Sequence, residues 1–294
     1  PVETYLKARI PSLGEIPDPL RFHPGAYHME TQSQYRVMIA KVTFWGEDNR
    51  TAIHQTFLKD DGTGKAPIDP DKKMLGSIKG GVVQLYEAGE ILGVGEGIET
   101  SLSFHVLSGV PVWAALSCNN MAPKNDPLKL PPLPLAQKLV IAIDNDSEDQ
   151  SLNAAKILKQ RAESEGREVY IVRPPLDFKD FNDTLKAHWG KDFDARTLIE
   201  SVDGKNIDFL FDVQFSPHKN SQRNGAGRIQ AEEREHLGEI EQSAENSLDQ
   251  EDDSPVIPEE AYNAVFEELW KDSVTSEESE TTLEERPVDP WEHA

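Results

Sequence analysis

The chain has 294 residues, of which 37% are hydrophobic and 28% charged, and its formal net charge is −23 at pH 7. This length could hold two domains, but the apolar fraction is too low for all of it to be packed core. A single cysteine, Cys118, excludes an intramolecular disulfide and a cysteine-based zinc ribbon. No apolar run is long enough to span a membrane, and an opening at Pro1 without a signal-like segment predicts a piece of a longer cytoplasmic protein.

The N-terminal stretch, residues 1–88, predicts a small β-rich domain. Residues 35–44 and 51–58 are rich in β-branched and aromatic residues and are flanked by Gly/Asp turns. Basic side chains in and between these runs make the region a candidate surface for nucleotide or DNA phosphates. The candidate residues are His54, Lys59, Lys65, Lys72, Lys73 and Lys79.

Residues 89–205 predict a second domain in which strands and helices alternate. Strands are expected at 91–95, 111–116, 138–144 and 168–173, and helices at 98–108, 151–165 and 181–189. Such alternation is typical of a mostly parallel sheet flanked by helices, so the fold class is α/β.

The acidic charge is concentrated near the C-terminus. Residues 231–294 hold 22 acidic and 3 basic residues, whereas residues 1–230 hold 31 and 27. Few aromatic residues and much Ser, Asn, Gln and Glu predict an acidic, largely disordered tail over 206–294. Apolar residues at helical spacing predict one short helix in it, at 259–270. This tail is a candidate docking site for helicase, relaxase or other replication proteins.

Carboxylates follow two of the predicted strands. Glu96 comes directly after the run 91–95, and Asp144 and Asp146 follow the run 139–143. Open α/β sheets place their chemistry at the carboxyl ends of their strands. Clustered carboxylates repel one another unless a cation lies between them, and hard oxygen ligands favour Mg²⁺ or Mn²⁺. The pattern therefore predicts a metal-dependent phosphoryl-transfer site, and Asn119, after the strand at 111–116, is a candidate for the nucleotide pocket.

Taken in order, residues 94–103, 111–117, 140–146 and 179–183 resemble a Toprim domain. This module is shared by DnaG-type primases, topoisomerases and some nucleases, and the closer resemblance is to the primases and primase-helicases of plasmids, phages and integrated elements. Residues 52–59, 61–67 and 72–76 resemble the domain that precedes Toprim in that group.

The resemblance implies a role for each matched acid. Glu96 is implied to be a metal ligand or a general acid/base, and Asp144 and Asp146 the metal-binding pair. Asp180 and Asp183 are implied to be the acids that either complete a second metal site or hold a water. Many primases have an aspartate four residues after the signature glutamate. Here that position is Thr100, and Glu99 precedes it, so a second metal depends on which way Glu99 faces.

The expected function is that of a DNA primase-like nucleotidyltransferase. It would synthesise short primers on a single-stranded DNA template from nucleoside triphosphates, in replication or conjugative transfer of a mobile element. Two alternatives remain: a Toprim nuclease that uses the same carboxylates to activate water, and a non-catalytic DNA-binding module of a larger relaxase or replication protein. No membrane partner is expected.

Overall fold

The computed structural model describes residues 1–47, 50–123, 125, 127–146 and 149–211. This part of the chain contains a four-stranded antiparallel sheet followed by a five-stranded, mostly parallel sheet. The α/β class and the β-rich N-terminal region expected from the sequence are confirmed. At the start of the tail predicted over 206–294, Asp208–Phe211 forms a short 3₁₀ helix whose Leu210 is buried. The expectations for the rest of that tail, residues 212–294 with the helix at 259–270, lie outside the described residues.

The antiparallel sheet belongs to the N-terminal region. Its strand order is β1-β2-β3-β4, and each strand pairs with the next along the chain. The strands are β1 (Leu20–His28), β2 (Ser33–Thr43), β3 (Thr51–Leu58) and β4 (Lys72–Leu75). The two runs predicted as strands are β2 and β3, whereas β1 and β4 were not predicted.

A short helix, α1 (Val2–Arg9), precedes this sheet and was also not predicted. Its buried residues are Val2, Tyr5 and Leu6, which recur at helical spacing, and Lys7 pairs with Glu3 one turn earlier. This short helical spacing is the feature of the sequence from which α1 could have been predicted.

The second sheet has the order β6-β5-β7-β8-β9, in which the first four strands are parallel and the last is antiparallel. The strands are β5 (Ile91–Gly95), β6 (Val112–Ala114), β7 (Lys138–Ala142), β8 (Glu168–Arg173) and β9 (Glu200–Ser201). The helices are α2 (Ile98–Ser108), α3 (Cys118–Met121), α4 (Gln150–Ser164) and α5 (Phe181–His188). Every strand and helix predicted in 89–205 is present, with ends that differ by at most two residues. None of the helices in the described ranges is long and apolar enough to cross a membrane.

Helices cover both faces of the parallel sheet, as the continuous apolar character of β5 and β7 requires. Alternate residues of β7 enter different cores: Val140 packs with α2 and α5, while Leu139 and Ile141 pack with α4. Burying these strands on both faces leaves their carboxyl ends as the accessible edge.

The core that contains α2 and α5 continues into the N-terminal region. Tyr5 and Leu6 of α1 and Met38 of β2 belong to the same buried cluster as Phe104 and Phe181. Residues 82–83 also pair with both sheets, through bridges to Thr43 and Ala114. The domain division after residue 88 remains a prediction, because one core extends across it.

Candidate active site

The candidate site lies where the strand order of the parallel sheet reverses. Strand β5 is flanked by β6 on one side and β7 on the other, so the chain leaves β5 toward one side and later returns on the opposite side. A crevice forms at such a point outside the carboxyl ends of the strands. Glu96 directly follows β5, and Asp144 follows β7 by two residues.

The acidity of Asp144 is strongly perturbed by its surroundings. Burial, followed by the negative charges of Glu96 and Asp180, raises the pKa of Asp144 to about 8. The charge of Lys179 and a hydrogen bond with Thr100 lower the same pKa, but they do not offset the burial. No described residue hydrogen-bonds to the buried Oδ1 atom. The structure therefore brings Glu96, Asp144 and Asp180 within electrostatic reach of one another.

The Glu96 carboxylate is held by two side chains from distant parts of the chain. The Cys118 thiol donates to Glu96 Oε2 at 3.0 Å, and the Ser151 hydroxyl donates to the same oxygen at 3.0 Å. The thiol and the hydroxyl are 3.3 Å apart. Burial and the hydrogen bond to Glu96 raise the pKa of Cys118 to about 12, so this cysteine is a neutral donor. The sequence analysis did not predict that Cys118 or Ser151 contacts Glu96.

Asp146 lies at the N-terminus of α4. Its Oδ1 accepts the backbone N–H of Gln150 at 2.9 Å, and its Oδ2 accepts that of Ser151 at 2.8 Å. A carboxylate in this position satisfies amides that lack partners within the helix and interacts favourably with the helix dipole. Asp146 therefore serves as a helix-capping side chain here.

Asn145, between the two aspartates, organises the loop that carries Asp180. Its side-chain amide donates to the carbonyls of Pro174, Pro175 and Phe178 at 3.1, 3.2 and 2.8 Å. Its backbone N–H donates to the carbonyl of residue 179 at 2.8 Å. The middle residue of the Asp-Asn-Asp run is thus the one that ties the β8–α5 loop to the carboxyl end of β7.

The two later acids have different surroundings. Asp180 caps α5 by accepting the backbone N–H of Asp183 at 2.7 Å, and its charge acts on Asp144. Asp183 is exposed in the first turn of α5, and the nearby charge that it acts on is Lys186. The structure brings Asp180 to the candidate site and places Asp183 at its outer side.

Among the described residues, no three His, Cys, Asp or Glu side chains are gathered closely enough to hold a metal ion. The chemistry of the site nevertheless fits a hard divalent cation. Asp144 has a buried oxygen without a partner, and its raised pKa reports negative charge that a cation would offset. The available donors are carboxylate oxygens, which Mg²⁺ and Mn²⁺ prefer.

Comparison with protein families assigns both regions. The model of the Toprim domain matches residues 91–191. Residues 91–191 form a Toprim domain. A domain of unknown function, DUF7146, matches residues 1–85. The resemblance stated from the sequence motifs is confirmed for the Toprim domain, and no curated protein matches the chain significantly.

Two solved structures are similar to about half of this chain. The Aquifex aeolicus primase structure of zinc-binding and RNA polymerase domains matches 51% of this chain and 37% of its own, with 19% identity and a TM-score of 0.35. The second match is a chain in a bacteriophage T7 structure. That structure shows the lagging-strand DNA polymerase interacting with primase domains of two gp4 subunits bound to an RNA/DNA hybrid and dTTP. The T7 chain matches over 52% of this chain and 73% of its own, with 16% identity and a TM-score of 0.33. The match to the Aquifex primase covers 37% of that chain, so this chain spans little more than a third of its length.

Within the Toprim domain, Glu99 contacts the N-terminal region. Its Oε1 accepts the hydroxyl of Tyr5 at 2.5 Å, and its Oε2 lies 4.0 Å from the Lys72 ammonium. Burial acts to raise its pKa, but the Lys72 charge and the Tyr5 hydrogen bond lower the pKa of Glu99 to about 2. Thr100, not Glu99, contacts Asp144. The geometry gives no support to a second metal held by Glu99.

Three of the basic residues proposed for DNA contact form ion pairs. Lys65 lies 3.0 Å from Asp71, Lys72 pairs with Glu99, and Lys73 pairs with Glu30. Partial exposure of the Lys65 and Lys72 side chains, 26% and 37%, leaves part of each in contact with solvent. Their charges are already partly offset within the protein.

The other proposed contacts divide between surface and interior. Lys59, Lys79 and Asn119 are exposed. His54 is 3% exposed, and burial followed by the charge of Lys72 lowers the pKa of His54 to about 3, so it offers no positive charge at neutral pH. The buried neighbour of Asn119, Asn120, has a structural role that the sequence analysis did not assign: its amide bonds the carbonyls of residues 81 and 115 at 2.8 and 2.7 Å.

Proposed function

We propose that this protein is a DNA primase-like nucleotidyltransferase whose Toprim domain joins nucleotides on single-stranded DNA. The observation that supports this proposal is the buried Asp144 carboxyl, which lies beside Glu96 and Asp180 at the switch point of the sheet. Three acids brought together in this way repel one another, and a protein tolerates such an arrangement where a bound cation offsets their charge.

Glu96, Asp144 and Asp146 would hold Mg²⁺ or Mn²⁺, with Asp180 beside them and Asp183 at the outer side. When bound, this cation supplies charge neutralisation and Lewis-acid polarisation of the phosphate under attack. In its absence Asp144 retains a proton near neutral pH, because its pKa is about 8. Asp144 must lose that proton at the carboxyl group before it can act as an anionic ligand.

The protein's own residues also position the reactants. Glu96, fixed after the buried strand β5, would accept the proton of the attacking 3′-hydroxyl as a general base. The exposed side chains of Lys59 and Lys79 provide positive charge for template phosphates, and Asn119 provides a polar group near the carboxyl end of β6. Binding of a helicase, a relaxase or another replication protein through the acidic residues 231–294 belongs to the same proposal.

Primer synthesis on single-stranded DNA tests this function. The full chain is incubated with a circular single-stranded template, labelled nucleoside triphosphates and either Mg²⁺ or Mn²⁺, and the products are separated by length. We expect short labelled oligonucleotides that are absent without template or without divalent cation. Omitting one nucleotide at a time and comparing NTPs with dNTPs then identifies the substrate.

The same reactions contain end-labelled linear DNA and supercoiled circular DNA, so that cleavage is measured beside synthesis. Nicking or shortening without new oligonucleotides would replace the primase proposal with a Toprim nuclease. DNA binding with neither reaction, under both cations, would identify a non-catalytic binding module. The Asp144→Asn variant is the control for a contaminating enzyme, since it should lose whichever activity belongs to this chain.

A further inference from the structure

One oxygen of Glu96 accepts two hydrogen bonds from residues outside β5 and α2, the strand and helix on either side of it. The donors are the thiol of Cys118 at the start of α3 and the hydroxyl of Ser151 at the start of α4. They come from 22 and 55 residues further along the chain. A carboxylate oxygen has two lone pairs, so both are used on Oε2, and cation binding or proton transfer is left to Oε1.

Ser151 contacts two acids of the site at once. Its hydroxyl donates to Glu96 at 3.0 Å, while its backbone N–H donates to Asp146 at 2.8 Å. The residue is 1% exposed, and the first turn of α4 fixes its backbone. This arrangement sets the spacing of Glu96 and Asp146 through a single residue.

We infer that Cys118 and Ser151 are positioning residues that hold the Glu96 carboxylate in one orientation, with Oε1 presented to the reacting groups. The inference rests on the proposed function and adds to it the two residues that orient the proposed general base. A side chain with three rotatable bonds otherwise samples several rotamers, and a reacting group displaced by about 1 Å can lose on the order of 100-fold in rate.

Cys118 takes part in this site as a hydrogen-bond donor. Its thiol donates to the Glu96 carboxylate at 3.0 Å. A hydroxyl at this position would keep the donor, whereas a methyl group would not.

The test uses five variants of the full chain: Cys118→Ala, Cys118→Ser, Ser151→Ala, Ser151→Thr and, as a matched control, Ser164→Ala. Ser164 lies in the last turn of the same helix as Ser151 and is exposed. We measure kcat and KM for primer synthesis, Mn²⁺ affinity by electron paramagnetic resonance, and the melting temperature. Losing one hydrogen bond to a charged group predicts a fall in kcat of about 10- to 100-fold for each alanine variant, with KM changed less than about threefold.

The conservative variants separate positioning from packing. Cys118→Ser and Ser151→Thr keep a hydroxyl donor, and each should recover most of the kcat that the matching alanine variant loses. Weaker Mn²⁺ binding is expected in both alanine variants, measured at a temperature at which each variant is fully folded. In a Glu96→Gln background, Cys118→Ala should cause no further loss of Mn²⁺ affinity, because the two residues act through one carboxylate.

Several outcomes would overturn the inference. One is wild-type kcat and Mn²⁺ affinity in both alanine variants. Another is an equal loss in the serine and alanine variants at position 118. Failure of the proposed function is a separate outcome, because the wild-type chain would then make no primers. In that case the Mn²⁺ affinities of the same variants would still decide whether Cys118 and Ser151 position Glu96.

Discussion

Asp144 is a carboxyl group that has lost most of its water and faces two other acids. Its neutral form is therefore favoured up to a pH of about 8, and its Oδ1 has no partner among the described residues. Replacing Asp144 by Asn removes the cost of keeping this carboxyl protonated in the folded state, without removing a hydrogen bond made by Oδ1. The stability of the protein and the activity of the site should respond to such a change in opposite directions.

The first prediction concerns cation binding. Thermal melts of the wild type should rise with added Mn²⁺, because a ligand that binds only the folded state stabilises it by about 2.7 kcal/mol at 100-fold excess over its Kd. The Asp144→Asn variant should melt at or above the wild-type temperature without cation, and the Asp144→Asn/Asp146→Asn variant should not respond to Mn²⁺. An equal Mn²⁺ response in the wild type and the double variant would contradict the assignment of both aspartates as ligands.

The second prediction concerns Glu96 itself. Glu96→Gln keeps the shape of the side chain and removes its charge and basicity, so kcat should fall by about 10²- to 10⁴-fold while the fold survives. Glu90→Gln, at the other end of the same strand, is the matched control and should keep wild-type kcat. Steady-state kinetics and circular dichroism of both variants check this. Comparable losses in the two variants would mean that charge in this region, and not Glu96, controls the rate.

At the scale of helices and strands, the Tyr5–Glu99 contact connects α1 with α2. Glu99 is 7% exposed, and Lys72 of β4 provides the compensating charge. Asn182 of α5 strengthens the same junction, since its amide donates to the carbonyl of Arg9 at 2.7 Å and to the Ser103 hydroxyl at 3.0 Å. Helix α2 begins two residues after Glu96, so these contacts also fix the helix that follows the proposed general base.

The third prediction is that Tyr5→Phe destabilises the protein in a pH-dependent way. The pKa of Glu99 is lowered to about 2 in the folded protein, so its contribution is fully present above its ordinary pKa of 4.5 and is lost as the pH falls toward 2. Removing the Tyr5 hydroxyl should cost about 1.5–3 kcal/mol at pH 7, and less at pH 3.

Urea unfolding of the wild type and Tyr5→Phe at both pH values measures this difference. Tyr27→Phe is the control, because Tyr27 is 54% exposed and its hydroxyl should contribute little. The titration of other groups cancels when each variant is compared with the wild type at one pH. A cost that is the same at pH 3 and pH 7 would show that Tyr5 acts by packing alone.

Across the whole chain, the charge is unevenly distributed. Residues 231–294 have a net charge of −19, and residues 1–230 have −4. An acidic segment on the same chain competes with DNA phosphates for basic side chains, and salt screens this competition. This competition comes from the summed charge of the segment and not from one ion pair.

The fourth prediction is that deleting residues 231–294 tightens binding to single-stranded DNA. The gain should be about tenfold at low salt and should shrink at high salt, with little change in melting temperature. Fluorescence anisotropy with labelled oligonucleotides at several salt concentrations measures it. Weaker binding or a lower melting temperature after deletion would show that the segment contacts the body or the DNA in a supporting role.

Local patterns in the sequence were sufficient for much of the fold. The apolar runs before Glu96 and Asp144 predicted β5 and β7, because a strand buried on both faces needs an uninterrupted apolar run. Strand β4 and helix α1 were missed because four and eight residues carry too little periodicity to stand out. For the site, the pattern placed Glu96 and Asp144 at one sheet edge, but it could not show that Asp146 caps α4.

What the sequence by itself determined is the alternation of strands and helices, with acids directly after two apolar strands, and a motif order that resembles a Toprim domain. The alternation follows from hydrophobic period, which each segment carries locally. Only the tertiary structure decided the partners of those acids: Cys118 and Ser151 for Glu96, and Tyr5 for Glu99. These contacts join residues 22, 55 and 94 positions apart, and such pairs depend on how packed elements meet, which no local pattern encodes.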